Sequence, residues 1–228
     1  MRTRFVDLEA AEPDETVVVV DVLRAFTVAP WAFHRGAERI LAVASRDEAL
    51  ALRERHLPDA LVAGEQGGAP PPGFDLGNSP SQLEPLDLAG RTLIHRTSAG
   101  TQGLVRCAGS RHLFAASFVV ATASARAVAR VAPSSVTFVV TGASLGRDGD
   151  EDLACAELIA ARLAGHDPDP AAFTARVPTS DAGRIFAPDG PDWAPPRDLE
   201  LACETDRFDH PLPARAIPDL GAVELRTG

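Results

Sequence analysis

Acidic, basic and hydroxyl-bearing residues follow four apolar runs of this 228-residue sequence. "VVVVD" ends at Asp21 with Arg24 three positions later, and "ALVAGE" ends at Glu65. "TLIHR" leads into "TSAGT", and "VTFVVTGA" leads into "SLGRDGDED". Carboxylates without clustered histidines or thiolates suit a hard cation such as Mg²⁺, and arginine can clamp an anion through two hydrogen bonds. This inventory favours phosphoryl transfer or another reaction on an anion.

The segment "TSAGT" offers hydroxyl groups and main-chain amides at the start of a predicted helix. Thr97, Ser98, Gly100 and Thr101 could surround phosphate oxygens there, because the N-terminus of a helix favours anions. The segment is not a Walker loop, since "GxxxxGK[ST]" is absent and the sequence contains no lysine. The alternative interpretation is an ordinary capped turn.

The stretch "GEQGGAPPPGFDLGNSP" has the composition of a linker but carries Glu65, Asp75 and Asn78 beside glycines. It follows a predicted strand, so we interpret it as a functional loop whose glycines let the backbone approach a ligand. The three prolines 70–72 predict a stiff spacer between the two acids.

Two further acids, Glu151 and Asp152, open a predicted helix and could hold the metal together with Asp21. Each candidate has a simpler interpretation. Asp21 could cap the turn after its strand, Arg24 could pair with a surface acid, and Glu151 and Asp152 could favour the helix dipole.

The elements that must position these residues alternate between strand and helix. "TVVVVD", "RILAVAS", "ALVAGE", "TLIHR", "HLFAAS" and "SVTFVVTGA" predict buried strands, and helices are predicted between them. Ser45 and Glu48 predict a capping box, and Gly36 and Gly165 predict helix ends. The fold class is α/β, with a mixed, largely parallel sheet and helices packed on its faces. Strand ends of such a sheet share one edge, where sites form.

The sequence from residue 166 onward is rich in Pro, Asp and Gly, with a helix-like "PAAFTARV" and a strand-like "DLELACE". We predict one domain over residues 1–228, with residues 166–228 as an irregular C-terminal extension of it.

Composition limits the function classes. The net charge of −10 argues against nucleic acid and anionic membranes as partners. The three separated cysteines form no zinc pair, and the absence of a signal-like or membrane-spanning segment predicts a soluble, cytoplasmic protein. The sequence leaves the oligomeric state open, with a homodimer among the alternatives.

Four blocks resemble the 2-phosphosulfolactate phosphatase (ComB-like) family in order and spacing. They are "VVVVDVLRAFT", "GEQGG…GFDLGNSP", "RTSAGTQGL" and "TGASLGRDGDEDLACAELIAARL". The resemblance implies a Mg²⁺-dependent phosphatase of coenzyme M biosynthesis that releases phosphate from 2-phospho-3-sulfolactate. The chain departs from the family pattern at Gln66, where arginine is usual, and at Ala99, where asparagine is usual.

The leading hypothesis is therefore a Mg²⁺-dependent phosphomonoester hydrolase acting on a small anionic phosphorylated substrate. Asp21, Arg24 and Glu65 are its catalytic candidates. The substrate-binding candidates are Asp75, Asn78, Thr97, Ser98, Gly100 and Thr101, and the metal candidates are Asp21, Glu151 and Asp152. The alternative is a non-catalytic relative that binds a small anionic metabolite. A purely structural module would leave the polar strand ends unexplained.

Overall fold

Nine strands of the described residues form one mixed sheet. The computed structural model describes residues 1–144 and 146–227. The strands are β1 (Arg2–Asp7), β2 (Thr16–Val20), β3 (Arg39–Ala42), β4 (Leu61–Gly64), β5 (Thr92–Arg96), β6 (His112–Ala116), β7 (Ser135–Val140), β8 (Leu212–Ile217) and β9 (Ala222–Leu225). Their order is β1-β7-β2-β6-β8-β9-β3-β5-β4. The predicted α/β class with a largely parallel sheet is confirmed.

Helices pack on both faces of this sheet. They are α1 (Ala25–His34), α2 (Arg46–His56), α3 (Pro80–Leu83), α4 (Gly100–Arg106), α5 (Ala121–Arg130), α6 (Asp150–Leu163), α7 (Ala171–Thr174) and α8 (Pro196–Ala202). Among the described residues, none of these helices is long and apolar enough to cross a bilayer.

The valine run of β2 explains the layered core. Val17 and Val19 belong to a cluster shared with α1 and α4, whereas Val18 and Val20 belong to a cluster shared with α5 and α6. Side chains alternate between the two faces of a strand, so a strand covered on both faces needs an uninterrupted apolar run.

Local signals set several helix ends as predicted. Ser45 accepts from the N–H of Glu48, whose carboxylate accepts from the N–H of Ser45, and α2 begins at this capping box. Gly36 follows α1 and Gly165 follows α6, both with positive φ.

The strand predicted at "DLELACE" is wrong. These residues lie largely in α8, which starts at Pro196 after Pro195 and buries Asp198, Leu201 and Ala202 on one face. Two strands that were not predicted, β8 and β9, form an antiparallel hairpin. This hairpin lies between β6 and β3, so residues of the predicted extension occupy the middle of the sheet.

The hairpin separates two parallel groups of strands. One group contains β1, β7, β2 and β6, and the other contains β3, β5 and β4. Three antiparallel pairings connect the groups, so they run in opposite directions through the sheet. The carboxyl ends of β2 and of β4 and β5 therefore point in opposite directions, so the predicted single edge of parallel strand ends is not formed.

Candidate active site

A cavity of about 320 Å³ lies where the ends of β2, β4 and β5 face the segment before α8. Its lining residues are Asp21, Leu23, Arg24, Glu65, Gly67, Gly68, Asn78, Ser98, Ala99, Arg147, Ala182, Ile185, Phe186 and Trp193. The structure thus brings together five of the predicted site residues, namely Asp21, Arg24, Glu65, Asn78 and Ser98.

Asp21 lies at the carboxyl end of β2 with its side chain buried. Its Oδ1 accepts from the N–H of Ala25 over 3.0 Å, so the capping interpretation holds for this oxygen. A Cβ atom on Gly100 would lie 2.5 Å from Oδ2, so only glycine allows the start of α4 to approach so closely. Burial, with the nearby carboxylates of Glu65 and Glu151, raises the pKa of Asp21 to about 6.

Glu65 connects two loops at the cavity wall. Its Oε1 accepts from the N–H of Ser98 over 2.5 Å, and its Oε2 accepts from the N–H of Gly68 over 2.8 Å. The hydroxyl of Ser98 also donates to Oε2 over 3.2 Å. The Ser98 N–H that was predicted to bind phosphate is therefore already occupied by a carboxylate of the protein.

The two threonines of "TSAGT" stabilise the turn and do not line the cavity. The N–H of Thr97 donates to Oγ1 of Thr101 over 2.8 Å, and the N–H of Thr101 donates to Oγ1 of Thr97 over 3.1 Å. Both side chains are buried, and Gly100 packs against Asp21. The structure therefore corrects the substrate-binding prediction for Thr97, Gly100 and Thr101, because their polar groups or contact surfaces are used within the protein.

Asp75 also lies away from the cavity lining. Its Oδ2 accepts from Arg53 over 2.9 Å and from the N–H of Val62 over 2.8 Å. These contacts attach the loop to β4 and α2. The prediction that Asp75 binds substrate is not supported, because its carboxylate contacts Arg53 and the N–H of Val62 and the residue does not line the cavity.

Asn78 lines the cavity and contacts a buried histidine. Nε2 of His95 lies 3.0 Å from Oδ1 of Asn78. Because Oδ1 can only accept, Nε2 carries the proton. Burial lowers the pKa of His95 to about 4, so the ring is neutral near pH 7. The contact leaves the amide nitrogen of Asn78 as the donor available to a ligand.

Arg24 is an ion-paired wall residue. Its Nη1 donates to Asp198 over 2.8 Å and to the carbonyl of Trp193 over 2.5 Å, and its Nη2 donates to the carbonyl of Gly68 over 3.3 Å. Both members of the Arg24–Asp198 pair are buried. The prediction of a free anion clamp is corrected, because Asp198 balances the charge of Arg24. The simpler interpretation of an ion pair holds, with a buried acid as the partner.

Asp152 has no free oxygen for a metal. Its Oδ1 accepts from the N–H of Val22 over 2.7 Å, and its Oδ2 accepts from the N–H of Gly142 over 2.7 Å and from Thr141. These contacts join the ends of β2 and β7 to the start of α6. The structure therefore assigns Asp152 a structural position.

Glu151, unlike Asp152, has a carboxylate oxygen without a hydrogen bond among the described residues. It is 1% exposed, and its buried Oε2 has no hydrogen-bond partner among the described residues. Burial raises its pKa, with Ser180 and Arg147 opposing this effect. Among the described residues, no three His, Cys, Asp or Glu side chains form a ready metal cluster. Mg²⁺ usually needs only one or two protein carboxylates, because waters and phosphate complete its shell.

Sequence reasoning missed Arg147, Asp198 and the apolar wall formed by Ile185, Phe186 and Trp193. Arg147 lies in the segment "SLGRDGDED", four positions before Glu151. Its closeness in sequence to Glu151 and Asp152 could have identified it as a site candidate. The other residues lie in the region read as an irregular extension, where no periodic pattern singled them out.

A family model for 2-phosphosulpholactate phosphatase matches residues 5–185, which include the main polar wall of the cavity. The chain belongs to this family. It is therefore a member of a family of phosphoric monoester hydrolases, which confirms the predicted enzyme class.

Proteins named "Probable 2-phosphosulfolactate phosphatase" are similar to this family member over much of its length. The Bacillus subtilis protein is 35% identical over 67% of this chain and 66% of its own length. The Deinococcus radiodurans protein is 40% identical over 72% of this chain and 68% of its own length. The Thermus thermophilus protein is 36% identical over 77% of this chain and 69% of its own length. The matched region thus spans about two thirds of each relative.

The two departures of this 2-phosphosulpholactate phosphatase family member lie near the cavity. Ala99 lines it directly, so its methyl group stands where an amide was expected. Gln66 is exposed between the lining residues Glu65 and Gly67, and its N–H donates to the carbonyl of Ala69. Relative to the family pattern, position 99 lacks an amide and position 66 lacks a positive charge.

Proposed function

We propose that the chain is a Mg²⁺-dependent phosphomonoester hydrolase that acts on a small anionic 2-phospho acid. The convergence of Asp21, Asn78 and Arg147 on one cavity carries this proposal. The names of its relatives make 2-phosphosulfolactate the first substrate to test.

Asn78 and Arg147 are the groups that would hold the phosphate. The Asn78 amide is oriented by His95, and Arg147 has no carboxylate partner among the described residues. Donors of this kind stabilise charge on the phosphoryl oxygens, and a fixed arrangement needs no rearrangement during the reaction.

Asp21 and Glu151 fit Mg²⁺ better than the predicted set of Asp21, Glu151 and Asp152. Oδ2 of Asp21 and Oε2 of Glu151 accept no hydrogen bond within the described residues, and burial raises the pKa of both carboxyl groups. A bound cation would offset the free-energy cost of burying these two carboxylates and would neutralise charge on the phosphate.

The reaction needs one new bond to phosphorus and one broken ester bond. Either a water oxygen attacks phosphorus while Asp21 accepts its proton, or the carboxylate of Asp21 attacks and water then hydrolyses the aspartyl phosphate. In both routes the alcohol leaves with a proton and inorganic phosphate is released. Asp21 has a buried carboxylate at the cavity, and its Oδ2 accepts no hydrogen bond within the described residues, so these two routes are alternatives to its role as a metal ligand.

A non-catalytic metabolite-binding function is the second candidate. The Arg24–Asp198 pair and the methyl group of Ala99 favour it, because both reduce the groups available to stabilise a dianion. This alternative predicts thermal stabilisation by the ligand without phosphate release.

The experiment is phosphate release from 2-phosphosulfolactate and 2-phospholactate with Mg²⁺ or with EDTA. Asp21→Asn should abolish release and keep the fold, because asparagine retains an oxygen for the N–H of Ala25. Asp75→Asn is the matched acid-to-amide control outside the cavity. The absence of turnover by the parent protein, or full turnover by Asp21→Asn, would contradict the proposal.

A further inference from the structure

We infer that the cavity is built for a 2-phospho acid whose third carbon carries an apolar alkyl or aryl group in place of a sulfonate. This inference rests on the proposed hydrolase function and names the substrate class of the same site. It follows from the charges and the apolar surface around the cavity.

The balance of charge is the first argument. A sulfonated 2-phospho acid brings a phosphate with close to two negative charges, a carboxylate and a sulfonate. The cavity lining already contains the carboxylates of Asp21 and Glu65. A bound divalent cation and one guanidinium would together match only the charge of the phosphate and the substrate carboxylate. They would leave no positive charge for the sulfonate, which would also lie near the carboxylates of Asp21 and Glu65.

The described residues supply no such cation at the lining. Arg24 is paired with Asp198, which also accepts hydrogen bonds from Ser79 and Ser81. Arg147 is the one remaining guanidinium among the described lining residues. Arg96 lies behind the loop, where its Nη1 donates to the carbonyl of Glu65 over 2.7 Å.

The opposite wall is apolar. Leu23, Ala182, Ile185, Phe186 and Trp193 line it. The guanidinium of Arg24 lies over the rings of Phe186 and Trp193, at 5.3 and 5.6 Å from their centroids, and so fixes both rings. An apolar substituent placed here would lose contact with water, whereas a sulfonate would lose its hydration without gaining a partner.

Trp193 also packs against the loop that carries Gly68. A Cβ atom on Gly68 would lie 2.4 Å from the indole ring, so the ring packs directly on the glycine backbone. Gly68 also donates to Glu65. The apolar wall is therefore attached to the polar wall, and a substituent bound against Trp193 would have a fixed position relative to the reacting phosphate.

The test compares three esters in the presence of Mg²⁺: 2-phospho-3-phenyllactate, 2-phospho-3-sulfolactate and 2-phospholactate. We expect kcat/KM for the phenyl ester to exceed that for the sulfonated ester at least tenfold. Ile185→Arg should reduce this ratio at least tenfold, because it places a cation in the apolar wall. The control Ala172→Arg adds the same charge at an exposed position outside the cavity and should leave the ratio unchanged.

Thermal stabilisation of the protein by each ester is measured in parallel. A preference of the parent protein for the sulfonated ester, or an unchanged ratio in Ile185→Arg, would overturn the inference. If none of the three esters is hydrolysed, the proposed function fails, and the inference is then decided by which ester stabilises the protein most against heat. Stronger stabilisation by the phenyl ester would then support it, and equal or weaker stabilisation would overturn it.

Discussion

The imidazole of His95 donates to the side-chain oxygen of Asn78 over 3.0 Å, with both side chains buried. The histidine lies on β5, whereas the asparagine lies in the loop between β4 and α3. A lone histidine on a strand is more often a core residue than a catalytic one. Here a neutral core histidine fixes the orientation of an amide that lines the cavity.

We predict that His95→Leu lowers kcat/KM about tenfold, equivalent to about 1.4 kcal/mol, because Asn78 loses the contact that orients its amide. His95→Gln should restore part of the activity, since its amide can donate to the same oxygen. The measurement is steady-state phosphate release together with urea unfolding. Equal losses of activity in both variants at unchanged stability would contradict the orienting role.

Glu65 is expected to act mainly through the two loops that it connects. Glu65→Ala leaves the N–H groups of Ser98 and Gly68 without their acceptor and should lower the free energy of unfolding by about 1–3 kcal/mol. Glu65→Gln keeps one acceptor oxygen and should cost less. Urea denaturation of the two variants checks this order, and an Ala variant as stable as the parent protein would disprove the loop-connecting role.

The buried Arg24–Asp198 pair should show strong coupling. Arg24→Met and Asp198→Asn should each cost about 3–5 kcal/mol, because each leaves a buried charge without its partner. The double variant should be more stable than the sum of the two losses predicts. A double-mutant cycle in urea provides the measurement, and simple additivity would show that the two side chains are energetically independent.

Asp21→Asn should stabilise the metal-free protein in a pH-dependent way. The pKa of Asp21 rises from 3.8 to about 6 on folding, so the folded state binds this proton more tightly. In the parent protein, the stabilisation that comes from this proton is complete below about pH 3.8 and is lost as the pH rises through 6. The variant carries no such charge, so its advantage over the parent protein grows as the pH rises. At pH 7.5 the variant should therefore be more stable by roughly 3 kcal/mol.

At pH 5 the stability gain of Asp21→Asn should fall to about half of its value at pH 7.5. Urea unfolding in EDTA at both pH values checks this change, with the exposed Asp189→Asn as a control. A gain that is absent at pH 7.5, or larger at pH 5, would contradict a raised pKa.

Glu151 and Asp152 should respond differently to the matched acid-to-amide change. Glu151→Gln should raise the Mg²⁺ concentration for half-maximal activity at least tenfold, because the unpartnered oxygen is its proposed metal ligand. Asp152→Asn should lower the free energy of unfolding by about 1–3 kcal/mol, because the two carboxylate oxygens accept from the N–H groups of Val22 and Gly142. Mg²⁺ titrations and urea unfolding of both variants separate these outcomes. The same Mg²⁺ requirement in both variants would remove Glu151 from the metal site.

The part of the site that follows apolar strands could be predicted from the sequence. A fully buried β2 requires an uninterrupted apolar run, and the polar residue that ends such a run lies at the sheet edge, as Asp21 does. The same reasoning located Glu65 and Ser98. It could not separate Ser98, which lines the cavity, from Thr97 and Thr101, because each threonine hydroxyl accepts from the main-chain N–H of the other only once the turn has formed.

Asp198 shows why the C-terminal part could not be predicted in the same way. The alternation in "DLEL" resembles a strand with its acids in solvent, but Asp198 is fully buried against Arg24, 174 positions earlier. Helix α8 therefore has a charged residue on its inner face, and a pattern based on apolar spacing treats that position as exposed. The missing information is the identity of a distant partner.

The β8–β9 hairpin has a consequence for the order of folding. It pairs with β6 on one side and β3 on the other, and it is the connection between the two parallel groups in the described sheet. Asp21 follows β2 of the first group, whereas Glu65 and Ser98 follow β4 and β5 of the second group. During synthesis each half-sheet can form early, but the hairpin that joins them emerges from the ribosome only after residue 211. The candidate cleft is therefore completed late in folding, after the residues on both of its sides have been synthesised.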